Sequence, residues 1–294
     1  MKIILYLVFI IFFISALLVY INTHPPRYPL HIPPSKYDLK YEDVTFRSTD
    51  GLILRGWFIH GEQVSGSEIK RLPAIIICHG LGANKSDFTD LANRLIKAHY
   101  NVLLFDFRRH GESDGRRTSI GYLEQKDLKG AIEYLKARGD VDPDRLGAYG
   151  FSLGAAVIIL TAVEQRDIKV IVADSPFTSL EEQAERIIES IYFLPKIPFL
   201  QISVWIYELY FWVDIDRISP IGAIHELQPT PIMLIGGEED EQMISSDIQR
   251  LFNAASEPKE IWIVSGAIHG GTLIKAGDEY TTVVIGYFDR YLQN

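Results

Sequence analysis

The chain predicts an α/β fold, a mostly parallel sheet flanked by helices. Three observations carry that prediction. Short apolar runs of strand length alternate with longer stretches whose apolar residues recur at helical spacing. The short runs are near-continuously apolar rather than alternating, as strands covered on both faces are. The chain has 294 residues, 47% of them apolar, which is ample for one large α/β domain and its core.

The elements follow in order. Residues 3–21 carry no charge, and Ser15 is the one strongly polar side chain among them. As a helix this stretch would be roughly 28 Å long, close to the hydrocarbon thickness of a bilayer. No small-residue cleavage site precedes residues 22–26, so the expectation is an uncleaved single-pass anchor, with a cleaved signal as the alternative. Lys2 and the α-amino group precede the segment while Arg27 and Lys36 follow it. This slight asymmetry favours the N-terminus inside and the body outside the cytoplasm. Five prolines, Pro25, Pro26, Pro29, Pro33 and Pro34, then predict a semi-rigid spacer that separates anchor from body. The expected organisation is an anchor over 1–22, a linker over 23–40 and one domain over 41–294.

Within the domain, strand-like runs at 44–48 and 52–60 flank Thr49-Asp50-Gly51, a hairpin signal that adds an antiparallel edge. Strands are predicted over 74–78, 102–105, 146–149, 170–173, 231–236 and 260–264. Helices are predicted over 88–99, 124–138, 152–165, 245–255 and 280–292. Leu128, Ile132 and Leu135 make the stripe of the second helix, and Asp278 and Glu279 sit at the start of the last. Residues 177–227 are too many for a simple loop and read as a helical cap.

Composition excludes several functions. A net charge of −9 argues against electrostatic binding of nucleic acid. A single cysteine, Cys78, cannot form an internal disulfide and reads as a small core residue. No Cys/His cluster has zinc spacing, so neither metal nor cofactor is implied.

The chemistry is concentrated in three places. Gly150-Phe151-Ser152-Leu153-Gly154 matches G-x-S-x-G between a predicted strand and a predicted helix. In that setting a strained turn exposes the serine, so Ser152 is the candidate nucleophile. The backbone N–H of Leu153 is one expected oxyanion donor. His79-Gly80-Leu81-Gly82 follows an earlier strand, and Leu81 is the candidate second donor, with His79 orienting the loop. The expected chain order then places an acid and a histidine after the serine. Asp240, several residues past the 231–236 strand, is the candidate acid. Glu238 and Glu239 read as solvated loop charges, and Asp174 as a loop-holding carboxylate or fallback acid. His269, in a loop of small residues after the last strand, is the candidate base.

These residues resemble the α/β-hydrolase superfamily, and within it the membrane-anchored YqkD-like branch near the serine-aminopeptidase-like hydrolases. Beyond the three sites, the resemblance rests on Thr49-Asp50-Gly51-Leu52, the segment from Phe105 to Gly115, Asp174-Ser175-Pro176-Phe177 and Ser219-Pro220. It spans about residues 41–292 and implies that the 106–115 segment is structural, lining the back of the site. The common family form has Gly where Arg109 stands, and many relatives have His where Gly236 stands.

The cap is rich in aromatic residues between 191 and 215. A second membrane span there is excluded by Pro195, Pro198 and Glu208, and because it would put Ser152 on the other side from Asp240 and His269. Its aromatics either cover the core or form an acyl-binding groove or touch the bilayer. The expected function is a membrane-anchored serine hydrolase, acting first on small or lipid-like acyl esters through an acyl-enzyme. A thioesterase, acyltransferase or peptidase would use the same residues, and a non-catalytic binding module is the alternative of another class.

Overall fold

The structure is a computed structural model that describes residues 2–63 and 71–293. Helix α1 (Lys2–Thr23) leads into the body. The strands are β1 (Tyr41–Arg47), β2 (Ile53–Ile59), β3 (Leu72–Cys78), β4 (Asn101–Phe105), β5 (Val141–Phe151), β6 (Ile168–Asp174), β7 (Ile232–Gly237) and β8 (Lys259–Val264). The other helices are α2 (Thr89–Lys97), α3 (Glu124–Lys136), α4 (Leu153–Glu164), α5 (Leu180–Arg186), α6 (Lys196–Phe211), α7 (Pro220–Ala223), α8 (Ser245–Ala254), α9 (Thr272–Ala276) and α10 (Asp278–Leu292). One sheet holds the strands in the order β1-β2-β4-β3-β5-β6-β7-β8. β1 and β2 pair antiparallel and β2 joins β4 antiparallel; every pairing from β4 to β8 is parallel.

The two faces of the sheet explain the near-continuous apolar strands. Successive strand residues point to opposite faces. In β3, Ile75 and Ile77 enter the core beneath α2 and α10, beside Leu91, Leu95, Val284 and Phe288. Ala74, Ile76 and Cys78 enter the opposite core, beneath α3, α4 and α8, with Leu128, Ile132, Ile158 and Leu251. Helix α4 is buried continuously from Leu153 to Ala162, so its uniform apolarity is that of a central core helix.

Boundaries moved most where charge interrupts a strand. β5 begins at Val141, well before the predicted 146, because Asp142, Pro143 and Asp144 hide its start. The short helix α9 was not foreseen. Between β6 and β7, α5 and α6 form a helical cap, and Tyr207 of α6 ties it to the body by donating its hydroxyl to the Ser119 carbonyl at 2.6 Å.

The spacer expectation is corrected. The proline-rich segment does not hold α1 away from the body but lies on it. Arg27 donates to the carbonyls of Gly111 (2.9 Å), Ser113 (2.6 Å) and Gly115 (3.0 Å). Thr89 Oγ1 donates to the Ile32 carbonyl at 2.7 Å, and Thr118 N–H donates to the last carbonyl of α1, that of Thr23, at 2.9 Å. Proline leaves carbonyls unpaired within its own segment, and here the body supplies the donors. The C-terminal half of α1 packs against the cap, where Leu18 joins Ile188, Phe199 and Leu200.

A buried ion pair fixes the segment behind the sheet's carboxyl end. Arg108 donates to Asp127 from Nε and Nη2, and to Asp50 of the β1–β2 turn from both Nη atoms. The Asp127 carboxylate is fully buried. Removing it strands a buried guanidinium, so Asp127→Ala should lower unfolding free energy by about 3 kcal/mol in urea titration. Asp50 remains to share the charge, which places the loss at the low end for a broken buried pair.

Candidate active site

The site forms at the carboxyl ends of β3, β5, β7 and β8, where ligands bind in open α/β sheets. β5 runs into the turn before α4, and Ser152 at its apex has φ +51° and ψ −114°. A non-glycine residue in that region is strained, so the surrounding packing must hold it. Gly154 shows how. A Cβ there would lie 2.1 Å from the Cys78 carbonyl oxygen, so only glycine lets α4 approach the end of β3 this closely. The Ser152 N–H donates to the Asp174 carbonyl at 2.8 Å, pinning the turn from the other side. Leu153 opens α4, where a backbone N–H has no partner within the helix.

The loop after β3 is held by two histidines. His79 donates from Nδ1 to the Gly80 carbonyl (2.7 Å) and accepts the Phe107 N–H at Nε2 (3.0 Å). His110 accepts the Gly82 N–H at Nε2 (3.1 Å), with Nδ1 on the Arg108 carbonyl (2.9 Å). Both ring nitrogens of His79 are thus committed to the loop, and burial pushes its imidazole down to about 3. His110 carries the same downward shift, from burial. Asp106, also buried, accepts from the Lys85 N–H and Nζ and from the Glu112 N–H. The 106–115 segment is therefore structural. Arg109, where the family form has glycine, sits at φ +69°, the left-handed conformation that explains the usual glycine.

Asp240 lies past β7 with its carboxylate buried. Oδ1 accepts the N–H groups of Gln242 (2.8 Å) and Met243 (2.7 Å), and Oδ2 contacts His269 Nδ1 at 2.7 Å. His269 follows β8 and packs its ring on Phe151, centroids 4.9 Å apart. Ser152, His269, Leu81 and Leu153 all line one pocket, of about 340 Å³. No hydrogen bond joins Ser152 Oγ to His269 in this geometry, among the described residues.

One carboxylate differs from its predicted part, and another takes the first of its two predicted parts. Glu238 is exposed but not merely solvated: it accepts from Ser265 Oγ (2.6 Å) and the Gly266 N–H (2.9 Å), bracing the loop before His269. Asp174 does not bond His269. It accepts from Thr272 Oγ1 (2.5 Å), Tyr280 OH (2.6 Å) and Ser175 Oγ (2.8 Å), and burial raises its carboxyl. It holds the loop three residues after His269, so the fallback-acid alternative is dropped. Sequence reasoning missed Tyr280 and His110. Nothing in the sequence marks Tyr280, whereas His110 sits inside a segment already quoted for the resemblance.

Glu42, His60 and Asp140 bring ligand atoms together on the rim of β1 and β2. Arg138 already bridges the two carboxylates, to Glu42 at 3.0 Å and Asp140 at 2.7 Å, so a cation is in place there.

A sheet of this order, with a serine at a strained β5–α4 turn and a buried Asp–His pair past β7 and β8, defines the α/β hydrolases. The chain belongs to that superfamily. The family model described as serine aminopeptidase, S33, matches residues 70–207. A protein of Mycobacterium tuberculosis is 34% identical over 228 residues, covering 77% of this chain and 72% of its own. The YqkD protein of Bacillus subtilis is 28% identical over 237 residues, covering 80% and 76%. Among solved structures, the Pyrococcus furiosus esterase Pf2001 superposes with a TM-score of 0.74 at 27% identity, over 91% of this chain and 99% of that one. By family the chain is a hydrolase.

The buried histidine yields a prediction. Unfolded, His79 takes up its proton near pH 6.5; folded, not until about 3. Between those values the unfolded state binds more protons, so stability falls as pH drops, by at most about 1.4 kcal/mol per unit. This contribution is full above the unfolded value. Denaturant titrations of wild type and His79→Gln from pH 7 to 4.5 should show the shallower slope in the variant.

Proposed function

We propose that the chain is a membrane-anchored serine hydrolase that cleaves an acyl ester through an acyl-enzyme. The observation that carries the reading is the convergence of Ser152, held at its strained turn, with the Asp240–His269 pair across one pocket. Asp240 fixes the tautomer with the proton on His269 Nδ1 and stabilises the imidazolium that forms later. His269 Nε2 takes the Ser152 Oγ proton as Oγ attacks the ester carbonyl; substrate binding closes the gap between them. The developing oxyanion sits between the N–H groups of Leu81 and Leu153, and the N-terminus of α4 favours its charge. His269 then gives its proton to the leaving alcohol, and water deacylates Ser152 by the same path in reverse.

The pocket favours an ester over a peptide with a free amino terminus. Among the described residues lining it, none is Asp, Glu, Lys or Arg, so no carboxylate is placed to pair with an ammonium group. Asn22, Gln183 and Gln242 are its amide groups, Thr23, Tyr192, Ser203 and Tyr207 add hydroxyls, and the rest of the wall away from Ser152 and His269 is mostly apolar. Helix α1 is long and apolar enough to cross a membrane, and residues 2–10 of it are all exposed. We take it as the anchor, with its N-terminus inside and the body outside the cytoplasm. No cofactor enters the mechanism, and nucleic acid is no partner of a chain of this charge.

A fluorescent fluorophosphonate, which reacts only with an activated serine, should label the detergent-solubilised full chain and fail to label Ser152→Ala or His269→Ala. Asp240→Asn should retain its fold and lose about 10³- to 10⁴-fold in kcat/KM on p-nitrophenyl acetate. Absence of labelling in folded wild type would leave the binding-module reading.

A further inference from the structure

The catalytic pocket has an unexpected wall. Leu18, Val19, Asn22 and Thr23, the last two turns of α1, line it opposite Ser152 and His269. The helix that reads as a membrane anchor is thus part of the substrate site. The helix end is held at two points: Leu18 is buried against Ile188, Phe199 and Leu200 of the cap, and the Thr23 carbonyl accepts the Thr118 N–H of the body. Ser203 of α6, which lines the same pocket, keeps a buried hydroxyl with no partner among the described residues.

The apolar surface continues out of the pocket. Helix α6 runs beside α1, with the ring of Trp205 6.4 Å from that of Phe12. Trp205, Leu209 and Trp212 recur at helical spacing on the outer face of α6 and its C-cap, and all are exposed, Trp212 to 86%. Phe193 (84%) and Ile197 (72%) extend the patch to the start of α6. A soluble surface rarely leaves large apolar side chains in a contiguous stripe. Phe12 lies six residues before Leu18, about 9 Å along the helix axis. With α1 in a bilayer, Trp205 is therefore at hydrocarbon depth while the pocket wall at Leu18–Thr23 meets the interface. Arg117, stacked on Tyr210 at 4.1 Å, places a cation at the inner end of the stripe, as interfacial aromatic–cation groups are placed.

We propose that the substrate is an acyl ester resident in the membrane, whose chain passes from the bilayer between α1 and the cap and lies against Leu18 and Val19. The proposal rests on the serine-hydrolase reading and adds its substrate class and its route. The anchor then has two parts in one helix: the residues before Leu18 lie in the bilayer, and the last two turns select the chain.

The test uses the full chain in phosphatidylcholine vesicles and a series of p-nitrophenyl esters from acetate to dodecanoate. For wild type, kcat/KM should rise about 4-fold per added CH₂ over the first members, as burial of each methylene predicts. Val19→Trp narrows the passage and should lower the octanoate-to-acetate ratio of kcat/KM about tenfold or more. Val19→Ala should move the optimum to longer chains. Each ratio compares two esters on one population of folded enzyme, so partial unfolding does not alter it. An unchanged ratio in both variants, with fluorophosphonate labelling intact, overturns the proposal alone. No labelling and no ester hydrolysis in wild type overturns the serine-hydrolase reading beneath it.

A second arm separates the bilayer from solution as the source. Vesicles of phosphatidylcholine brominated in its acyl chains should quench wild-type tryptophan emission, and the quenching should fall away in Trp205→Phe/Trp212→Phe. Retained chain-length selection without quenching shows delivery from solution and overturns the bilayer route.

Discussion

The close approach of α4 to the end of β3 is the constraint from which the site follows. A helix axis can come this near a strand only because Gly154 presents no side chain to the Cys78 carbonyl. That contact turns the chain sharply out of β5 and leaves Ser152 no conformation but the left-handed one it occupies. It also aims the first free N–H groups of α4 at the same point, and sets the 79–82 loop beside them. Strain at one serine is held by the packing of the most buried helix in the molecule, which is why the turn does not relax.

A second frame, polar rather than apolar, holds the loop opposite. His79, His110, Asp106 and Lys85 are all buried, and their hydrogen bonds go to backbone groups, to one another and, from Lys85 Nζ, also to the Glu112 carboxylate. Groups that are individually unfavourable to bury become fixed points once every donor and acceptor is matched. Such a frame costs desolvation and gives the adjacent loop one geometry. Apolar packing alone would leave the backbone of the 79–82 loop free to turn.

Much of this was legible in the residues. The period change between strands and helices revealed the parallel sheet, and chain order with position past the strand pointed to Asp240 and His269, which the structure brings to 2.7 Å of each other. What stayed hidden depended on tertiary neighbours. Asp174 reads first as a loop-holding carboxylate, but which loop it holds is not legible, because its partners, the hydroxyls of Thr272 and Tyr280, lie about a hundred residues on. Glu238 looked solvated because its side chain is exposed, and exposure does not prevent it from capping Gly266. The proline-rich segment looked like a spacer because proline stiffens a chain locally. Whether a stiff segment stands off or lies down is decided by donors elsewhere, here Arg27, Thr89 and Thr118.

The clamp of Arg27 on a run of carbonyls has a kinetic meaning. A flexible tether would let the body tumble in a hemisphere above its anchor and meet substrates from any direction. Four hydrogen bonds from one guanidinium, together with the bond to Thr23, join helix and body into a single rigid piece. With α1 upright in a bilayer, the mouth of the pocket is then kept at constant height and facing the same way. The only remaining freedoms are spin about the membrane normal and drift within its plane. For a substrate resident in that bilayer, the encounter is a search in two dimensions, and its rate is set by surface density rather than by bulk concentration.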